Sequence, residues 1–212
     1  DRLCFDIETQ YWTSRGWSVL CVNYRGSTGY GRAYMTSLRG QWGVYDVEDA
    51  IGGARHLSDE GLADPDRLVI MGGSAGGYTV LRALTLHPGF FRAAICRYGI
   101  SNLFGLARTT HKFEARYTDR LVGPLPEAAD RYRERSPIYA ADAIRDPLAI
   151  FQGDEDEVVT RDQSDDIVAS LQARGIDHQY HVYAGEGHGW RRPETKESYI
   201  RSVESFLEQH TL

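Results

Sequence analysis

Leu68-Val-Ile-Met-Gly-Gly-Ser-Ala-Gly-Gly77 is the stretch that decides the fold. A short apolar run, long enough for a buried strand, leads into Gly72-x-Ser74-x-Gly76, and the helix-like stretch Tyr78 to His87 follows. A serine carried at the tip of a strand-to-helix turn needs strained backbone, and flanking glycines let neighbouring chain approach with no Cβ in the way. The Ser74 hydroxyl then points into open space. The first helical turn behind it offers backbone N–H groups, and that of Ala75 would face the oxyanion of a tetrahedral intermediate. A glycine-rich turn with an incidental serine is the plain alternative; the strand before and the helix after weigh against it.

The same rhythm extends outward on both sides. Apolar runs at Ser18 to Asn23, Leu68 to Met71, Ala93 to Cys96, Leu148 to Phe151 and His178 to Tyr183 read as strands, mostly continuous enough to be buried on both faces. Between them, Asp46 to Ser58 sets Val47, Ile51, Ala54 and Leu57 on one helical face, and its early acids suit the positive end of a helix dipole. Gly52 and Gly53 weaken that helix and are expected to allow close packing on a sheet. Asp162 to Arg174 is a second helix, stopped by Gly175, and a last one starts near Glu194. Strand and helix in alternation imply an α/β fold, a mostly parallel sheet covered on both faces, with ligands at the carboxyl ends of the strands. Gly99 to Ala143 departs from the rhythm and reads as short helices over the top of the sheet. Its charge run, Arg131, Arg133, Glu134 and Arg135, reads as a solvated face.

A serine hydroxyl is nearly inert at neutral pH without a base, which directs attention to the seven histidines. His188 lies in Gly185-Glu-Gly-His-Gly-Trp190, just after a strand, where glycines suit a loop that swings an imidazole over the sheet edge. The other six sit in helices, in a strand or in settings with no such cue. An orienting carboxylate is expected on Gln152-Gly-Asp-Glu-Asp-Glu157, the acidic loop after a buried strand. Spacing from the glycine favours Asp156, with Asp154 second. An EF-hand is excluded because the run lacks a glycine at the sixth position. Ser74, Asp156 and His188 follow the chain order that α/β-hydrolases use.

Composition bounds the rest. The 212 residues are 42% hydrophobic and 25% charged, enough for a single globular domain with its own core. Acids exceed bases 30 to 24, and the basic residues form no stripe, so nucleic acid is not an expected partner. No apolar run approaches membrane-spanning length and no signal-peptide pattern opens the sequence, so a soluble, cytoplasmic protein without a membrane partner is expected. Cys4, Cys21 and Cys96 are far apart, in apolar surroundings, and match neither a disulfide framework nor a zinc site. No metal or organic cofactor is implied, and a homo-oligomer stays open.

With Asn23-Tyr-Arg-Gly-Ser-Thr-Gly-Tyr-Gly31, Asp46-Val-Glu-Asp49, Gly72-Gly-Ser-Ala-Gly-Gly77, Ser136-Pro137, Gln152-Gly-Asp-Glu-Asp156 and Gly185-Glu-Gly-His-Gly189, the chain resembles the prolyl oligopeptidase family of serine peptidases nearly end to end. The likeness is greatest to the acylaminoacyl and dipeptidyl aminopeptidase branch. The resemblance implies an α/β-hydrolase fold, a triad at Ser74, Asp156 and His188, and hydrolysis of short peptides or aminoacyl amides. It also implies that the region after the Ala93 strand helps form the substrate pocket, with Tyr98, Ile100, Phe104 and Phe113 as candidate walls. Arg25 and Arg97 are read as loop ties in preference to carboxylate binders. The family's loop for the second oxyanion donor, and the strand that carries it, have no counterpart ahead of the quoted segments. The N-terminal strands of the sheet are therefore expected to be missing, and residues 1–212 to be the catalytic part of a longer polypeptide with an upstream β-propeller. A carboxylesterase acting on small esters and a non-catalytic remnant of the fold are the alternatives.

Overall fold

The structure, a computed structural model, is described for residues 5–109 and 116–212. Four strands form one parallel sheet in chain order: β1 (Val69–Gly73), β2 (Ala93–Arg97), β3 (Leu148–Gly153) and β4 (His178–Tyr183). The helices among the described residues are α1 (Ile7–Thr13), α2 (Gly31–Thr36), α3 (Tyr45–Asp59), α4 (Ala75–Leu86), α5 (Leu103–Thr109), α6 (Tyr117–Leu121), α7 (Ala129–Arg135), α8 (Asp162–Ala173) and α9 (Pro193–Thr211). Short 3₁₀ turns occupy Pro65–Arg67 and Pro137–Ala143.

Alternation within the strands divides the core into two layers. Ala94, Cys96, Leu148 and Ile150 face one side and pack with residues of α3, α4 and α8, including Val47, Ile51, Leu84, Ile167 and Leu171. Ala93, Ile95, Ala149 and Phe151 face the other side and pack with Trp12 of α1 and Tyr199, Val203 and Phe206 of α9. Each Val, Leu, Ile or Phe side chain among them contributes about 1.5–3 kcal/mol through burial. A third cluster, with Trp42, Tyr78, Ile100, Leu103, Leu121 and Tyr132, seats the short helices α5 to α7 over the carboxyl ends of the strands.

Three expectations need correction. Ser18–Asn23 is irregular chain and not a strand: it pairs with no strand among the described residues, and Val19, Leu20 and Cys21 are exposed. Strand-like composition forms a strand only where a ladder partner accepts its backbone groups. The segment instead lies on α3, with Leu20 and Val22 over Gly53, while Gly52 has no neighbour at its open side. The charge run is not all solvated either. Arg135 is buried and its guanidinium donates to the carbonyls of Gly40 and Trp42, which ties α7 to the loop before α3. Finally, Cys21 lies in solvent and not in apolar surroundings. Arg25 and Arg97 are loop ties: Arg25 pairs with Asp49 and Glu48, and Arg97 pairs with Glu8 of α1.

Candidate active site

Ser74 stands between β1 and α4 with φ 55° and ψ −119°, the left-handed backbone expected of such a turn. Its N–H donates to the Arg97 carbonyl at 3.0 Å and its carbonyl accepts from Tyr78 N–H at 2.9 Å, so the strain is held from both sides. Glycine is required at position 72, where a Cβ would run into the Gly76 carbonyl. Ala75 opens α4, so its N–H has no acceptor within the helix.

The acidic loop after β3 places two carboxylates differently. Asp156 is fully enclosed: its Oδ1 accepts from the N–H groups of Val158 and Val159, both at 2.9 Å, and its Oδ2 accepts from His188 Nδ1 at 2.8 Å. Asp154 is exposed and accepts from Gly185 N–H at 2.6 Å, which ties the acidic loop to the histidine loop. On its other side, His188 Nε2 lies 2.8 Å from Ser74 Oγ. With the proton on Nδ1, the imidazole donates to Asp156 and accepts from the serine hydroxyl. Ser74, Asp156 and His188 thus come together from the ends of β1, β3 and β4, as a serine hydrolase needs.

Other residues beside this arrangement are not singled out as catalytic by the sequence. Gln152, a polar residue inside an apolar strand, donates to the Val159 carbonyl at 3.0 Å and to Asp156 Oδ2 at 3.3 Å, and accepts from Ser164. Glu186 is buried and accepts from the N–H groups of Arg191 and Arg192 at 2.9 and 3.0 Å, closing the histidine loop on itself. Burial pushes the Glu186 carboxyl up, but those two hydrogen bonds, with the Thr195 hydroxyl and the Arg192 charge, outweigh it and hold it below its ordinary range. Tyr98 lies against the imidazole, with its ring centroid 4.6 Å from that of His188, and Trp190 meets Tyr98 edge-on.

The candidate pocket residues are not gathered into one wall. Tyr98 lies against His188; Ile100 is buried in the cluster under α5; Phe104 is half-buried against Tyr132; Phe113 lies outside the described residues. A cavity of about 710 Å³ opens between α1 and α9, lined by Glu8, Tyr11, Arg97, Trp190 and Glu204 among others, and includes none of Ser74, Asp156 and His188. Among the described residues no group of three His, Cys, Asp or Glu side chains is placed to hold a metal ion. No helix among them is long and apolar enough to cross a membrane.

The chain is similar to known peptidases over almost all of its length. It is 37% identical to dipeptidyl aminopeptidase BIII of Pseudoxanthomonas mexicana over 94% of this chain and 30% of that protein. It is 31% identical to the acylamino-acid-releasing enzyme of Arabidopsis thaliana, over 96% of this chain and 27% of the other. A solved puromycin-hydrolyzing peptidase of Mycobacterium tuberculosis superposes with a TM-score of 0.95 at 46% identity, covering 98% of this chain and 32% of that one. The fold is that of the α/β-hydrolases of this family, and the chain spans about 30% of the length of the relatives it matches. The model of the prolyl oligopeptidase family matches residues 4–212, and the chain belongs to that family.

Proposed function

We propose that this chain is the catalytic domain of a serine peptidase that hydrolyses short peptides or aminoacyl and acylaminoacyl amides through an acyl-enzyme. Ser74 Oγ bonds to the scissile carbonyl carbon as its proton passes to His188 Nε2, and Ala75 N–H donates to the oxyanion. The C–N bond then breaks, and the imidazolium returns the proton to the departing amine. Asp156 keeps Nδ1 protonated and stabilises the imidazolium, and water resolves the ester by the same route. The observation that carries this reading is the pair of 2.8 Å contacts from the two ring nitrogens of His188, one to Ser74 and one to Asp156.

Membership of the family supports amide hydrolysis, and the names of the relatives support substrates with a free or acylated amino terminus. A β-propeller elsewhere in the same polypeptide, limiting access to short substrates, is part of this reading. It accords with the share of each relative that the chain spans.

The test is turnover of free and N-blocked aminoacyl p-nitroanilides beside p-nitrophenyl acetate, with Ser74→Ala as blank. Serine-dependent anilide cleavage is the expected result, and Ser74→Ala should lower kcat by about 10⁴-fold or more while the melting temperature stays unchanged. Turnover of the ester alone would identify a carboxylesterase. A chain that gains no adduct at Ser74 from a fluorophosphonate probe would be a non-catalytic remnant.

A further inference from the structure

Among the described residues only two that are not glycine have a left-handed backbone, Ser74 at φ 55° and Tyr98 at φ 36°. For an aromatic residue this conformation is strained and persists only where the surroundings enforce it. Here they do. Tyr98 follows the last residue of β2, and its N–H donates to the Phe151 carbonyl of β3 at 2.7 Å, continuing the sheet ladder by one more bond. The ring is thereby turned back over the end of β1, where Gly73 leaves the space: a Cβ on Gly73 would stand 3.0 Å from Tyr98 Cε2.

Two aromatic contacts meet on that ring. The His188 imidazole lies against it with centroids 4.6 Å apart and planes 55° apart, and Trp190 meets it edge-on at 5.3 Å. Trp190 is backed in turn by Tyr183 of β4 at 4.9 Å and by Tyr199 of α9 at 6.0 Å. The imidazole thus rests on a surface continuous with the core.

Glu186 and Asp154 hold the backbone of the histidine loop, but their hydrogen bonds do not touch the imidazole ring itself. His188 is flanked by Gly187 and Gly189, the residue type that restricts backbone least. The hydrogen bond to Asp156 fixes Nδ1 but leaves the ring free to swing about that contact, which would carry Nε2 away from Ser74. A ring packed against one face of the imidazole removes that swing, and offset aromatic contacts of this kind favour a defined geometry.

We propose that Tyr98 is a positioning residue: its ring, held on a strained backbone at the end of β2, keeps His188 Nε2 aimed at Ser74. The inference rests on the serine-hydrolase reading above and departs from a role for Tyr98 as a wall of the substrate pocket.

The test compares Tyr98→Phe and Tyr98→Leu in the full-length protein, by steady-state kinetics on the best anilide or ester and by the rate of fluorophosphonate labelling at Ser74. Tyr98→Leu should lower kcat by about 10- to 100-fold with KM changed less than about twofold, and should slow labelling in parallel, since misplacing a reacting group by about 1 Å costs up to about 10²-fold. Tyr98→Phe keeps the ring and should restore kcat to within about threefold of the wild type. If Tyr98→Leu is recovered unfolded, Tyr98→Met, of similar volume and flexible, takes its place in the same comparison. A raised KM at unchanged kcat would return Tyr98 to the pocket wall and overturn the proposal. So would wild-type kcat in the Leu or Met variant, or a Phe variant as impaired as Leu. The wild-type protein serves as the separate control: if it shows neither turnover nor labelling dependent on Ser74, the serine-hydrolase reading fails and this proposal falls with it.

Discussion

Asp156 and Asp154 stand two residues apart in one acidic loop, yet only Asp156 reaches the imidazole, while Asp154 accepts from the backbone of Gly185. Asp156→Asn should therefore lower kcat by about 10³- to 10⁴-fold, because an amide does not hold the imidazole tautomer that accepts the serine proton. Asp154→Asn should leave kcat within about threefold, and steady-state kinetics on both variants separates the two carboxylates. At this scale the sequence was legible where chemistry is local. A glycine-flanked serine between strand and helix, and a glycine-flanked histidine after a strand, carry their own context. Gln152 and Glu186 were not legible as parts of the site, because each acts on a neighbour brought close by the sheet or by a closed loop, and Tyr98 was read only as a pocket wall.

Among the elements, the loop from Gly185 to Arg192 is held by Glu186, whose carboxylate accepts from Arg191 and Arg192 just before α9 begins at Pro193. Because its carboxyl lies below the ordinary value of 4.5 in the folded chain, the stabilisation is fully present above that pH. It is lost as pH falls through the folded value. Glu186→Gln should cost about 1–2 kcal/mol at neutral pH, where the charged acceptor is replaced by a neutral one. The difference from wild type should shrink on acidification below 4.5, as read by urea unfolding at a series of pH values. Helices α3, α8 and α9 were readable from their apolar period, and β1 to β4 from their apolar runs. Helix α1 was not: at seven residues it is too short for periodicity to speak, although Asp6 caps it by accepting from Thr9 N–H at 2.7 Å. Ser18–Asn23 misled in the opposite sense, since composition reports suitability for a strand and not the presence of a partner.

At the scale of the whole molecule, burial leaves Cys96 and Cys21 in contrasting states. Cys96 is enclosed between β2 and α4, and burial pushes its thiol up to about 12, whereas Cys21 is exposed. Iodoacetamide at mildly alkaline pH should modify Cys21 within minutes and spare Cys96 until denaturant is added, as peptide mapping would show. The parallel, two-sided architecture followed from the alternation of runs, but the strand order did not, because pairing is decided between distant segments. That order runs in step with the chain, and its ends are where the chemistry sits: Ser74 follows the first strand and His188 the last, 114 residues apart. At roughly 5–20 residues per second of synthesis, Ser74 is made on the order of ten seconds before His188. In the proposed mechanism Ser74 therefore waits without its base until the final strand and its loop have emerged and docked, so the order of synthesis would keep the nascent chain from acting on itself.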